Sequence, residues 1–417
     1  MISNKISAMA RIKKRKEYSK IVYFLRWMVE WPFTVFFLFW FFLILFWPAK
    51  LVTSRRKERG EKPRIIWGPT PILTISVSSR AEKRLGYQSN TLVYQPYYIT
   101  DNFDYNLEKY HKILWLRPLI PWLVFTWAML KYDVFHYFFG RGFLMPHRGK
   151  RINRIELPIL KLAGKVVVVS AYGGDVRYEK KCRSEGKYNC CIDCNQKMIA
   201  CICDEKLAIS NVNYVNRYVD IALSMGDMVE YTPGSKNDVF YWPIDLDEVK
   251  YVGVREQNDP PIIIIHASNH RQFKGTKYLI SAVENLRNEG YPIELQLIEG
   301  VSNARARELY RNADIVAEQF IIGWHGYFAV EAMALGKPVV CYIRKPKEYL
   351  PKDKECPIIN ADPDNLEDRL KWLIENPQIR AELGKKGRAY VEEVFALDRV
   401  GERLDTIYQT LWRKPVH

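Results

Sequence analysis

Between residues 31 and 47 the chain runs WPFTVFFLFWFFLILFW, seventeen positions with no charge, closed by Pro32 and Pro48. As a helix this run reaches about 25 Å, slightly short of the ~30 Å hydrocarbon core of a bilayer. It is bulky and aromatic, and no small-residue cleavage site follows, so a secretory signal is excluded. A second apolar stretch, residues 113–130, is broken by Arg117, Pro118 and Pro121 and reads as a core helix of a first domain.

After Pro63 the pattern becomes short β-branched runs alternating with longer mixed segments, which predicts parallel sheets with crossover helices. Predicted strands in the first series are 64–67, 91–94, 134–137, 166–170, 220–224 and 229–231. Pro233, Gly234 and Pro243 then interrupt the alternation, and a boundary is expected near 243–258. The second series opens with Ile262 to Ile265, a solid run suited to a strand buried on both faces. A helix over 277–287 capped by Thr276, a strand over 293–298, a helix over 304–311, a strand over 314–316, a helix over 328–335 and a strand over 339–342 complete it. Residues 366–412 read as successive amphipathic helices. No solenoid-period repeat and no low-complexity linker is present.

The chain has 417 residues and a formal charge of +16. Residues 1–64 hold fifteen Lys or Arg against four acids, so +11 of that charge brackets the apolar run. Attraction to an anionic membrane surface explains this placement better than nucleic-acid binding, which is disfavoured. Both flanks are basic, and cytoplasmic loops carry the Lys and Arg excess. The expectation is therefore a monotopic or re-entrant anchor with the remaining domains on the cytoplasmic face, and a single-pass helix stands as the alternative.

Candidate chemistry concentrates in three places. HASNHRQFKGTKYL (266–279) sets Arg271 and Lys274 in a loop after a strand and before a helix, where cationic groups suit a diphosphate. GWHGYFAVEAMALGKPVVCYI (323–343) adds a helix N-terminus at Gly326, with Glu331 a turn along it to accept ribose hydroxyls. In SAYGGDVRY (170–178) a strand runs into a glycine-rich turn, where Asp175 either orients an acceptor hydroxyl, pairs with Arg177 or caps the following segment.

The second half resembles the retaining GT-B glycosyltransferases of family four (glycosyl transferases group 1), whose donor domains contain a basic strand-end loop ending in KG and an EAMAxGxPVV segment. Residues 262–343 carry the match and the layout extends over roughly 64–400. The resemblance implies an α/β fold of two Rossmann-like, doubly wound parallel-sheet domains: a basic, aromatic membrane-anchoring segment (1–62), an acceptor-side domain (63–243), a nucleotide-sugar donor domain (258–395) and a C-terminal helix (396–417). It assigns Arg271 and Lys274 to the donor pyrophosphate and Glu331 to the ribose. The amides around Gly326 and Tyr327 go to the phosphates or sugar, and Glu299 and Gly300 to a uracil or guanine base. Where the family has an acid eight positions before the Glu331 equivalent, this chain has Gly323, followed by Trp324 and His325. Asn269 and Ser268 occupy the places where the family often has Arg, and Tyr172 falls where it has the His that touches the sugar. The implied activity is sugar transfer, with retention, from a UDP- or GDP-type donor to a lipid-linked saccharide or glycolipid, with no cofactor required. Loss of those polar residues leaves open a catalytically inactive nucleotide-sugar-binding subunit of a membrane glycan-assembly complex.

Six of the eight cysteines are Cys182, Cys190, Cys191, Cys194, Cys201 and Cys203. Cys191 and Cys194 have CxxC spacing, and for a cytoplasmic domain thiolate metal binding is the natural reading. A structural zinc, free or redox-labile thiols, and an iron–sulfur cluster remain the alternatives.

Overall fold

A computed structural model describes residues 28, 31–32, 34–113, 116–146, 151–194, 204–255 and 260–413. The apolar run forms helix α1 (Thr34–Glu58), with a π-helical turn at Phe41–Leu45. The first sheet and its helices follow as β1 (Ile65–Trp67), α2 (Leu73–Arg84), β2 (Ser89–Val93), β3 (Tyr105–Asn106), α3 (Ile120–Lys131), β4 (Val134–Phe138), α4 (Glu156–Leu162), β5 (Val166–Ser170), α5 (Glu179–Ser184), α6 (Glu205–Tyr218) and β6 (Ile221–Leu223). All six strands are parallel, in the order β3-β2-β1-β4-β5-β6. β4 and β5 are buried at every position, which is why they read as unbroken apolar runs rather than alternation.

The second series is β7 (Ile262–Ala267), α7 (Thr276–Asn288), β8 (Ile293–Ile298), α8 (Asn303–Tyr310), β9 (Ile315–Ala317), α9 (Tyr327–Ala334), β10 (Val339–Cys341) and β11 (Ile359–Asn360), in the parallel order β11-β10-β9-β7-β8. Helices α10 (Leu366–Glu375), α11 (Pro377–Val394) and α12 (Leu397–Trp412) close the described chain. α12 returns to the first half, where its Tyr408 hydroxyl donates to Glu82 of α2 at 2.6 Å. One continuous apolar core runs through both halves, with a smaller one on the far side of the second sheet.

Two predicted elements are corrected. Residues 229–231 are not a strand but part of a 3₁₀ turn, Gly226–Tyr231. Gly226 starts it at φ +59°, and a Cβ there would overlap the Trp324 ring, so tertiary packing overrides the local β preference. Thr276 does not cap α7; the left-handed Gly275 precedes it, and the Thr276 hydroxyl bonds the buried His266 ring at 2.8 Å. The two-residue edge strands β3 and β11 are too short to leave a periodic signal.

Candidate functional site

In an open parallel sheet the ligand crevice lies outside the carboxyl ends of the strands, where the strand order reverses. From β7 the chain moves one way to β8 and then back past β7 to β9, so the crevice falls between the ends of β7 and β9. A cavity of about 660 Å³ opens there, facing the loop after β1 (Thr70, Pro71) from the first half.

Lys274 ends a single helical turn, Arg271–Lys274, after β7. Its ammonium donates to the Ala267 carbonyl at 3.0 Å and to Glu318 Oε1 at 2.8 Å. Glu318 directly follows β9 and is 1% exposed. Its other oxygen accepts from the Gly326 amide at 3.2 Å and from the Cys341 thiol at 3.3 Å. Burial raises the Glu318 pKa, but the Lys274 ammonium and these hydrogen bonds outweigh it and hold the group below the usual carboxylate value. Glu318 is the residue that sequence reasoning missed. A Cβ on Gly326 would lie 3.0 Å from its carboxylate, which accounts for the glycine.

Gly326 opens α9, whose first amides have no acceptor within the helix and face an anion favourably. One turn on, Glu331 is buried, with Oε1 accepting from Asn303 at 2.7 Å and the Arg307 guanidinium 4.0 Å away as an ion pair. Burial pushes its carboxyl up to about 7. His325 lies against Trp324, with ring centroids 4.1 Å apart and the rings tilted by 34°. Its Nδ1 meets the Gly326 carbonyl at 3.3 Å, which makes Nδ1 the donor and leaves buried Nε2 as an acceptor with no partner among the described residues. Burial lowers the His325 pKa to about 4, so the ring is neutral.

Lys274, Asn269, Glu299, Gly300, His325, Gly326, Tyr327, Glu331 and Tyr172 all line the cavity. Asn269 accepts from Tyr98 of the first half at 2.7 Å, and the Tyr327 hydroxyl donates to the Pro243 carbonyl at 2.7 Å. Three other sequence candidates do not line it. Arg271 is held at the rim by a bidentate pair with Glu299, at 2.7 and 2.9 Å. Gly323, at φ +97°, packs against Arg344 and bonds its amide. Asp175 turns inward and accepts from the amides of Tyr172, Gly173 and Phe139 at 3.0, 2.9 and 3.1 Å. It therefore staples the glycine-rich turn and orients no acceptor, and burial lifts its carboxyl to about 6. Nor does it pair with Arg177, which instead forms a buried fork with Asp227, both contacts 2.6 Å, and itself borders the cavity.

Cys182, Cys190 and Cys191 are buried, and their sulfurs lie within 4.8 Å of one another. Cys194 is partly buried and its sulfur is not in that group; Cys201 and Cys203 lie outside the described residues.

Residues 285–390 match the model of the family described as glycosyl transferases group 1. Two solved structures superpose along their whole length. Sucrose-phosphate synthase from Thermosynechococcus elongatus has a TM-score of 0.54 and 12% identity, covering 84% of this chain and 99% of that one. Anabaena HepE, in complex with UDP and glucose, has a TM-score of 0.50 and 12% identity over 84% and 100%. The chain has the GT-B fold, and residues 285–390 resemble the glycosyl transferases group 1 family. Among curated proteins, this GT-B chain is 26% identical over 242 residues to MMP alpha-(1->4)-mannosyltransferase from Mycolicibacterium hassiacum, 51% of this chain and 56% of that enzyme. It is 24% identical over 131 residues to trehalose synthase from Pyrococcus horikoshii, 31% and 32% of the two chains. The matched region thus spans about half, and about a third, of these relatives' lengths.

Proposed function

We propose that this GT-B protein is a glycosyltransferase moving a sugar, with retention, from a UDP- or GDP-type donor to a lipid-linked saccharide or glycolipid at the cytoplasmic face of a membrane. One observation carries the donor assignment. Lys274, the first amides of α9 and Glu331 converge on a single cavity at the strand-order reversal. In this reading the Lys274 ammonium and those amides stabilise the departing diphosphate, and Glu318 holds Lys274 in place. Glu331 accepts the ribose hydroxyls, and the neutral His325 accepts a hydroxyl of the sugar through Nε2. Catalysis comes from positioning and charge stabilisation, and transfer draws on no metal. The group 1 domain match and the UDP complex of Anabaena HepE support the same donor class.

The acceptor class rests on α1. One face of this helix lies against the first half: Phe37 stacks on Trp122 at 6.2 Å, Phe41 faces Phe125 at 6.4 Å, and Arg56 pairs with Asp133 at 2.8 Å. From Phe37 to Arg56 that is about 29 Å of helix covered by folded protein. The opposite face exposes Phe36, Trp40, Leu43, Trp47 and Leu51. A helix covered along one side suits an in-plane seat at the headgroup level, which would set the cleft beside lipid-held acceptors.

Gly323 and Tyr172, standing where the resembled family has an acid and a His, favour one other reading, a nucleotide-sugar-binding subunit without turnover. Purified protein assayed with UDP- and GDP-sugars and glycolipid acceptors separates the two. Transfer that falls at least about a hundredfold in Lys274→Ala is expected. Undiminished transfer by that variant refutes the site, and tight binding without transfer by the parent protein selects the subunit reading.

A further inference from the structure

The segment from Tyr178 to Cys194 leaves the first sheet after β5, packs at Tyr178 against Tyr231 of the first half and reaches several residues of the second half. Glu185 pairs with Arg344, both largely buried. Lys187 and the Tyr188 hydroxyl reach Asp364, each at 2.6 Å, and Asp193 meets Lys277 at 2.5 Å. The segment is a strap across the two halves, but its only regular element is the six-residue α5. Its buried apolar interior is Cys182, Cys190 and Cys191, packed on Ile322 and on Phe273, the residue before Lys274. Three small side chains bury too little apolar surface to order such a segment unaided.

We propose that Cys182, Cys190 and Cys191 bind one zinc ion as thiolates, and that this ion holds the strap closed beside the donor cavity. A tetrahedral ion with Zn–S bonds of ~2.3 Å places its ligand sulfurs ~3.8 Å apart. The three sulfurs lie within 4.8 Å of one another, and the nearest pair, Cys182 and Cys190, at 2.9 Å, must open by less than 1 Å or so to reach that spacing. A disulfide would use two of the three and leave the third unmatched, whereas an ion uses all of them. Soft thiolate ligands select zinc over the harder divalent cations. Binding releases the three thiol protons to solvent, and the fourth position of the tetrahedron falls to a ligand outside the trio.

The full chain, purified anaerobically with reductant, is expected to carry close to one zinc by elemental analysis. Replacement by cobalt(II) is expected to give a thiolate-to-cobalt charge-transfer band that weakens in Cys190→Ser and again in the Cys182→Ser, Cys190→Ser double variant. Because those variants can fail to fold, the parent protein supplies a second readout. Stripping its metal with a mercurial reagent should speed amide hydrogen exchange across residues 179–193 while leaving β7 and β9 protected. Free thiols with no stoichiometric metal, a Cys182–Cys190 disulfide in the freshly purified protein, or iron with acid-labile sulfide would overturn the zinc assignment. Unchanged exchange after metal removal would overturn the strap role. Neither readout depends on sugar transfer, so this proposal and the donor assignment fail separately.

Discussion

Glu331 combines burial, an Asn303 hydrogen bond and a carboxyl lifted from 4.5 to about 7. In the proposed role its ionised form accepts ribose hydroxyls, so donor binding is expected to displace a proton below pH 7. Donor affinity is expected to fall up to about tenfold for each pH unit below that point. Glu331→Gln, titrated with UDP by calorimetry, should bind about ten- to a hundredfold more weakly and lose this dependence. A parent protein with flat affinity between pH 5.5 and 8 would contradict the role. The same shift acts on folding. With the native pKa raised, this group's contribution to stability is full below its ordinary value near 4.5 and is lost as pH rises through about 7; Glu82 and Glu156, also buried and lifted to about 7, add in the same sense. At this scale the sequence was legible where residue type and position sufficed: Lys274 in a strand-end loop and Glu331 inside a helix both line the cavity. Glu318 was missed because it lies just past the end of a predicted strand, in a stretch that carries no loop or helix signal of its own. Asp175 could not be oriented, because an Asp in a glycine-rich turn can face ligand or bond its own loop's amides, and here the amides take it.

Helix α1 buries Thr34, Phe41, Phe46, Ala49 and Thr53 along one side while Trp40 and Trp47 are exposed on the other. An in-plane seat predicts similar, shallow quenching of Trp40 and Trp47 by depth-graded lipid quenchers in anionic vesicles. A helix crossing the bilayer would separate them by about 10 Å in depth. Changing both to Glu is expected to release the protein from the vesicles, and retained binding would contradict the seat. Seventeen uncharged residues could not reveal which face the protein covers, since both faces are apolar; the packing of α3 and the contacts to Asp133 distinguish them. β5 (Val166–Ser170), an unbroken apolar run, was read with its observed limits, because burial on both faces leaves little ambiguity. The 3₁₀ turn at Gly226–Tyr231 was not, because its conformation follows from making room for Trp324 in the other half.

Across the whole molecule, the alternation of strand and helix signals implied two parallel sheets, but not how they are joined. The return of α12 to α2, the buried Glu82–Tyr408 contact and the strap held by Glu185 and Arg344 are contacts between residues 159 to 326 positions apart. No local pattern encodes them, yet they set the width of the cleft. Donor binding at that cleft is the central expectation. UDP and GDP titrated into the purified chain should raise its unfolding free energy by about 2.7 kcal/mol at a hundred times the dissociation constant for the preferred nucleotide. Lys274→Ala, unliganded, should melt as a folded protein and show little of that gain. Stabilisation of the parent chain by neither nucleotide, or equal stabilisation of Lys274→Ala, would contradict the account.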